Sequence, residues 1–582
     1  MLRTTREAEG ERQPFSLDGQ VWITADARVD GRADLAAKLA SAGGPRPPAD
    51  AGDAELILRA YLAWGDDCVR HLIGDFAFAV WDGRRRRLFC ARDHFGVKPF
   101  YYAQPGGGLV FSNTLNCLRG HPRVADELND LAVGDFLLFG FNQEPDTTIF
   151  SDIRRLPAAH YLTWSSGAPQ VTRYWELPTS GEIRYRRAED YVLHFRELFE
   201  TAVGDRLRAD RAGVLMSGGL DSTAVAATAH RLLSRHSRPF DLRAYCGVYD
   251  QLIPDDERYY SGLVARALNM PIRYLAADAY ELFERCERPE LCYPEPYDEP
   301  LGAFYFDQIQ QVAAHARVAL TGQGGDPLLG VPSAFLTEAL KKKQLVRFAA
   351  GVVHYLVAYG ALPRLGFRRA LRRRLGVQNG EHRPTYPRWL NPAFAGRHNL
   401  RERWETLQAR PAPVHPVRPD AYNNYSSHWW SLMFEQYDAS WVSCPVEVRH
   451  PLFDLRLVTY ALAIPPVPWC LNKSLLRSAM RYNLPERVRL RPKTPMQDDP
   501  VRVRLGRQEG RGLVSIEARV VEEYLDPETV KDIKRGVIGR EDASVNGLRP
   551  VYLALWLQQK EMNHEQLNDG EESNATTRTE VC

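Results

Sequence analysis

Nine cysteines occur in the 582 residues, and no two of them stand at C-x-x-C spacing. That pattern excludes the common zinc signatures and gives no disulfide framework, so a reducing, cytoplasmic setting is expected. No apolar run approaches the roughly 20 residues needed to span a bilayer, and no secretory signal pattern opens the chain, so no membrane partner is expected. A weakly apolar stretch, Phe348 to Leu362, is broken by His354 and Gly360 and reads as a core helix. The net charge of +2 gives no electrostatic footprint for nucleic acid, and no nucleic-acid module accompanies the basic runs. With 44% hydrophobic and 25% charged residues the composition is that of a globular protein, and the length allows two or more domains.

What the chain does have is a small-residue stretch, Ser217-Gly218-Gly219-Leu220-Asp221-Ser222. It follows the apolar run Ala212 to Met216 and leads into an amphipathic segment starting at Thr223. That reads as strand, glycine loop and helix. Two glycines allow close approach to an anion, and the new helix aims its free N–H groups at it. Met216 to Ser222 are therefore candidate contacts to a phosphate group, with Asp221 a hard oxygen ligand for an escorting Mg²⁺. No Gly-Lys-Ser/Thr follows, so the loop is not of the Walker type. It resembles the pyrophosphate loop of the ATP pyrophosphatases, which cut ATP between the α and β phosphates and convert a carboxylate into an adenylate.

Upstream, Val21 to Arg28 reads as a strand, Arg32 to Ala40 as a helix, and Asp53 to Trp64 as a helix stopped by Gly65. Residues 1 to about 14 are polar and read as frayed. Leu72-x-Gly-Asp-Phe-Ala-Phe-Ala-x-Trp-Asp82 and Ala91-Arg-Asp-x-x-Gly-x-Lys98-Pro-x-Tyr-Tyr102 form a β-rich segment. These motifs resemble the glutaminase domain of class II amidotransferases. Joined to the Ser-Gly-Gly-Leu-Asp-Ser loop, they make the chain similar to the asparagine synthetase family over roughly residues 20 to 560. The fold this implies is α/β: a degenerate N-terminal-nucleophile-type αββα domain over residues 1–180, then an ATP pyrophosphatase-type domain over 185–563. The latter is an adenine nucleotide α-hydrolase-like, doubly wound parallel sheet with helical insertions. A disordered tail, 564–582, follows.

The departures from the family are instructive. Its glutaminase uses a cysteine directly after the initiator methionine, whereas position 2 is Leu2 and no cysteine precedes Cys68. The glutamine-holding Asn-Gly-Glu aligns with Ala25-Asp26-Ala27. Asp53 remains where the family holds the substrate amine, yet alone it cannot hydrolyse an amide. A catalytically dead scaffold is the expectation.

In the second half, backbone around Cys246 and Gly247 is expected near adenine. Tyr297-Asp298-Glu299-Pro300 resembles a family Asp-Glu-Pro segment, and Thr321-Gly322-Gln323-Gly324-Gly325-Asp326 resembles its second phosphate loop. Thr321, Gly322 and Gln323 join the ATP candidates; Asp326 joins Asp221 as a metal candidate, while Gln323 adds no charge. Lys493, in Arg-Pro-Lys, aligns with the family's catalytic lysine. Glu447, in Glu-x-Arg, is the candidate general base, against the blander reading of an ion pair with Arg449 or Arg477. The basic and aromatic region 340–440 reads either as a solvated helix face or as a peptide groove, with Arg368, Arg372, Trp429 and Trp430 as contacts.

With no glutaminase, the amine must come from elsewhere. Within the family, the macrolactam synthetases that close lasso peptides use an amine already in the substrate, and the chain is most similar to those. The resemblance implies ATP and Mg²⁺ as cofactors and adenylation of an Asp or Glu side chain, with ring closure by the N-terminal amine. It also implies a core peptide, a leader peptidase and a leader-recognition protein as partners. An ammonia-dependent asparagine synthetase, a β-lactam synthetase-like enzyme and an inactive peptide-binding scaffold are the alternatives.

Overall fold

A computed structural model describes residues 2–235, 239–330, 335–341, 343–360, 362–363, 385–409, 414–493, 496, 498–507, 521–534 and 545–562. In the run Phe76-Ala-Phe-Ala-Val80 the large and small side chains alternate, and a strand sends them to opposite faces. That alternation sets the layers of the first domain. In chain order its strands are β1 (Phe15–Ser16), β2 (Val21–Asp30), β3 (Ile73–Asp82), β4 (Arg87–Arg92), β5 (Tyr101–Ala103), β6 (Val110–Ser112), β7 (Arg154–Arg155), β8 (His160–Trp164) and β9 (Gln170–Arg173). They make a six-stranded sheet, β1-β2-β3-β4-β8-β9, and a three-stranded sheet, β6-β5-β7. The long pair β2–β3 runs in register from Val21↔Asp82 to Asp30↔Ile73.

Phe76, Phe78 and Val80 pack under helices α1 (Arg32–Ser41) and α2 (Asp53–Trp64), with Leu35, Leu39 and Ile57. Ala77 and Ala79 face Phe100 and Tyr102 of the second sheet's segment. Tyr101 and Ala103, on that sheet's other face, pack against α3 (Leu115–Arg119) and α4 (Asp130–Phe139). Helix, sheet, sheet, helix is the expected αββα order.

In the second domain, α5 (Ala188–Asp205) precedes β10 (Arg211–Leu215), α6 (Leu220–Ser234), β11 (Asp241–Val248), α7 (Glu257–Ala267), β12 (Ile272–Ala276), α8 (Gly302–Ala313), β13 (Val318–Thr321) and β14 (Glu447–Arg449). The sheet is parallel throughout, in the order β12-β11-β10-β13-β14. Strand order reverses between β10 and β13, and in open α/β sheets ligands sit outside the carboxyl ends at such a point. Ser217 and Gly322 lie at those two ends.

Buried charges join the domains. Arg28 meets Asp30 at 2.9 Å and Asp75 at 2.6 Å, while Arg206 reaches Asp454 at 3.0 Å and Asp30 at 3.4 Å. Arg92 and Arg155 close on Glu435 at 2.8 and 2.9 Å. Charges this deep persist only when paired, so removing any one member strands the others.

Two expectations change. Residues 4 to 6 are not frayed: the buried Arg449 guanidinium donates to the Thr4 carbonyl at 3.2 Å, and the Arg6 amide donates to the Arg208 carbonyl at 3.2 Å. The stretch read as a core helix is instead the helix Leu345–Tyr359, which leaves Val346, Val353, Leu356 and Val357 exposed. Arg368, Arg372 and the expected tail 564–582 lie outside the described residues.

Candidate functional site

At the end of β10 the Met216 amide donates to the Tyr245 carbonyl at 2.9 Å, after which the chain turns into α6. The loop is tied across itself. Ser217 N–H donates to Ser222 Oγ at 3.0 Å, the two hydroxyls are 2.9 Å apart, and Gly219 N–H donates to Ser217 Oγ at 3.1 Å. Gly218 N–H donates to the carboxylate of Glu257, so the loop already receives an anionic oxygen. The second loop leaves β13 at Thr321 and presses against the first. A Cβ on Gly322 would lie 2.5 Å from the Ser222 nitrogen, and one on Gly325 would overlap the Asp221 carboxyl. Glycine is what lets the loops touch.

That contact brings Asp221 and Asp326 together over a shared cation. Lys473 pairs with Asp221 and lies 2.6 Å from Asp326, whose other oxygen receives Lys493 at 2.8 Å. Burial raises the Asp221 carboxyl pKa despite Lys473; at Asp326 burial is outweighed by the two lysines, which lower it. Asp221 Oδ1 is buried without a hydrogen-bond partner among the described residues. Among the described residues no group of three or more His, Cys, Asp or Glu could cage a metal. One or two carboxylates completed by phosphate oxygens is the arrangement Mg²⁺ uses, so this donor set fits it.

The loops open into a cavity of about 510 Å³ whose wall includes Ser217, Asp221, Thr321, Gln323, Tyr297 and Glu299. Gln323 and Tyr437 share that wall. Cys246 and Gly247 extend β11 beyond the level of Leu215, but the wall does not include them; Gly247 is covered by Phe304.

Glu447 is not a base at this site. It is buried between Arg449 at 2.9 Å, Lys98 at 3.6 Å and Arg28 at 3.9 Å. Burial would raise its carboxyl pKa, but Arg449, Lys98 and Arg28 hold it well below the usual range. The ion-pair reading is the correct one. Trp430 is likewise no peptide anchor: it is buried against Phe434 and Phe453, and its indole donates to Asn424 at 2.9 Å. Trp429 remains exposed.

The run Lys473-Ser-Leu-Leu-Arg477 carries Lys473 into the site, a role the sequence did not assign. Arg491, two residues before Lys493, lies over the Tyr260 ring at 4.0 Å and pairs with Glu257 at 3.2 Å, which fixes the segment leading to Lys493.

A second cavity, about 950 Å³, lies at the domain junction, walled by Ala25, Asp26, Ala27, Asp53 and Lys98 of the first domain and by Asp438 and Glu447 of the second. Here Asp53 is taken up by Arg208 at 2.6 Å and by Arg32, and Asp26 by Lys98 at 2.8 Å. The carboxylate expected to hold a substrate amine is closed by two guanidinium groups.

A family model described as asparagine synthase matches residues 194–558, and one described as glutamine amidotransferase domain matches residues 4–175. The chain belongs to the asparagine synthase family. That places it among ATP-dependent amide ligases of the asparagine synthetase type. Within the family it is 26% identical over 470 residues to glutamine-hydrolyzing asparagine synthetase 3 of Bacillus subtilis, covering 76% of this chain and 70% of that protein. It is 28% identical over 352 residues to glutamine-hydrolyzing asparagine synthetase 2 of the same species, covering 56% of this chain and 45% of that one. It is 27% identical over 316 residues to amidase chry2 of Gibberella zeae, covering 50% and 44% of the two chains.

Proposed function

We propose that this asparagine synthase family member is an AMP-forming amide ligase that joins a carboxylate to an amine it does not make from glutamine. One contrast carries the reading: Asp221, Asp326, Lys473 and Lys493 converge on two glycine loops in one cavity, while in the other Asp53 and Asp26 are neutralised by basic side chains. A carboxylate is a poor electrophile, and transfer of AMP to it installs a leaving group. The N–H groups and hydroxyls of Met216 to Ser222, with the N-terminus of α6, would hold the pyrophosphate. Thr321, Gly322 and Gln323 would contact it from the second loop. Lys473 and Lys493 would offset charge that grows in the transition state. Mg²⁺, held by Asp221 and Asp326, would neutralise the departing pyrophosphate.

The names of the relatives, asparagine synthetases, support aspartate as the carboxylate substrate, and with Asp53 and Asp26 neutralised in the other cavity free ammonia would be the amine. A second reading, closure of a lasso-type macrolactam between an Asp or Glu side chain and the N-terminal amine of a core peptide, is supported by the exposed apolar helix Leu345–Tyr359. Its Tyr359 hydroxyl accepts from the Asn472 amide at 2.9 Å, directly before Lys473, so an apolar surface adjoins the catalytic cluster. Under this reading a leader peptidase and a leader-recognition protein would act upstream. One experiment separates them. AMP release is measured with aspartate plus ammonium and with leader-free peptides carrying a free amine and an internal Asp or Glu, followed by mass analysis. Asparagine formation supports the first, and loss of one water to give a carboxypeptidase-resistant product supports the second. No AMP release with any carboxylate overturns the ligase reading.

A further inference from the structure

Each buried acid that joins the two domains has an arginine partner: Glu435 has Arg92 and Arg155, Glu447 has Arg449, Asp454 has Arg206. Glu299 does not. It lines the 510 Å³ cavity with Asp221, Thr321 and Gln323, yet among the described residues no cation pairs with it. Its donor is the Leu301 amide, at 3.0 Å. A half-buried carboxylate left without a cation is costly, and the cost persists where the site awaits a charged ligand. The same wall carries the aromatic rings of Tyr297, Tyr305 and Tyr437, surfaces that attract an ammonium group. The second phosphate loop presents Gln323, which cannot accept a proton at neutral pH, so that duty falls elsewhere.

We infer that Glu299 is the proton acceptor for the attacking amine: it holds the incoming ammonium against the tyrosine wall and removes one proton before nitrogen attacks the activated carboxylate. This rests on the amide-ligase reading above. Burial pushes the Glu299 carboxyl up to about 7, the Leu301 amide opposing and Asp298 adding to the rise. A base poised there both accepts and returns a proton near neutral pH. Besides Asp298, the titratable groups that face it among the described residues are Tyr249, Tyr293, Tyr297, Tyr305, Tyr437 and Tyr552. In the step itself, R–NH₃⁺ gives a proton to Glu299 and the freed lone pair forms the C–N bond. The acyl–oxygen bond to AMP then breaks, AMP leaving with the electron pair, and the surplus proton on nitrogen passes to the departing phosphate or to water.

The test uses the full chain and whichever probe, L-aspartate or an Asp-bearing peptide, supports ATP–pyrophosphate exchange. Glu299→Gln keeps the shape and the bond from Leu301. Exchange should stay within about twofold of wild type, because adenylation needs no proton from the amine. Amide formation from ammonium or a peptide amine should fall on the order of 10² to 10⁴. Hydroxylamine, already neutral at pH 7, should still give hydroxamate at near wild-type rate. The wild-type amide rate should rise with pH through an ionisation near neutrality that E299Q lacks. Equal loss of exchange and amide, or no loss of amide, overturns the assignment alone. A wild-type protein without exchange overturns the ligase reading and this assignment with it. Should E299Q not fold, Glu299→Asp carries the test: the ionisation of the amide step must move while exchange does not, and an unmoved profile overturns the assignment.

Discussion

Lys473 Nζ lies 2.6 Å from Asp326 and also pairs with Asp221, so one ammonium group joins carboxylates from two separate glycine loops. It sits at the start of a short helix with left-handed backbone, φ 54°, which aims it across the carboxyl edge of the sheet. Lys473→Ala should lower turnover on the order of 10² to 10³, the loss typical of removing one preorganised charge. AMP release under saturating ATP measures it. Near-normal turnover would make the lysine a tether between loops and nothing more.

Lys493 reaches Asp326 from the outside at 2.8 Å and is mostly exposed, so its bond adds little to stability. Lys493→Ala should leave the melting temperature nearly unchanged while cutting kcat on the order of 10². The KM for ATP should move much less, and Lys493→Arg should restore part of the rate. A KM effect with kcat intact would assign Lys493 to ground-state binding.

The first loop was legible because its glycines, serines and Asp221 are contiguous and flanked by a strand and a helix. Lys473 was not, since the pairing of residues 221 and 473 is made by tertiary packing alone, and nothing local marks Lys473 out. Glu447 misled for the opposite reason. The Glu-x-Arg pattern looks catalytic, but in β14 side chains two apart share a face, so Glu447 and Arg449 meet each other at the domain junction. Trp430 misled because a paired-tryptophan motif says nothing of direction, and on its helix Trp430 turns inward while Trp429 turns out. The αββα order was implied by the resemblance that the Leu72–Asp82 and Ala91–Tyr102 motifs carry; the closure of Asp53 by Arg208 was not legible, because the partner lies in the other domain.

Glu447 gives a pH prediction. Its folded pKa is depressed, so the stability it contributes is complete above the ordinary carboxylate range and is lost as pH falls through the folded value. Asp454 and Glu435, also depressed by arginines, act in the same direction. The contribution of these three carboxylates to the melting temperature should therefore be constant near neutrality and be lost below about pH 4. Glu447→Gln strands Arg449, while Arg28 keeps Asp30 and Asp75, and should cost about 3 to 5 kcal/mol while weakening the acid slope. Urea denaturation measures the first and melting against pH the second. The folded fraction should keep wild-type kcat, and a large kcat loss at unchanged stability would restore Glu447 as a base.

Glutamine should not serve as an amine donor. Asp53 is bound by Arg208 at 2.6 Å and by Arg32, and the segment that would hold the amide is Ala25-Asp26-Ala27, with Asp26 on Lys98. A substrate ammonium would have to displace two guanidinium groups and enter beside a third cation, each step opposed by charge. Glutamate release from glutamine should equal the enzyme-free blank in the wild type. It should stay there in Arg208→Ala, because freeing Asp53 restores a binding carboxylate and no nucleophile. The same variant should be less stable, since Asp53 is buried and loses one of its two partners. Heat-labile glutamate release in either protein would show that the first domain still hydrolyses amides, and the amine would then come from glutamine after all.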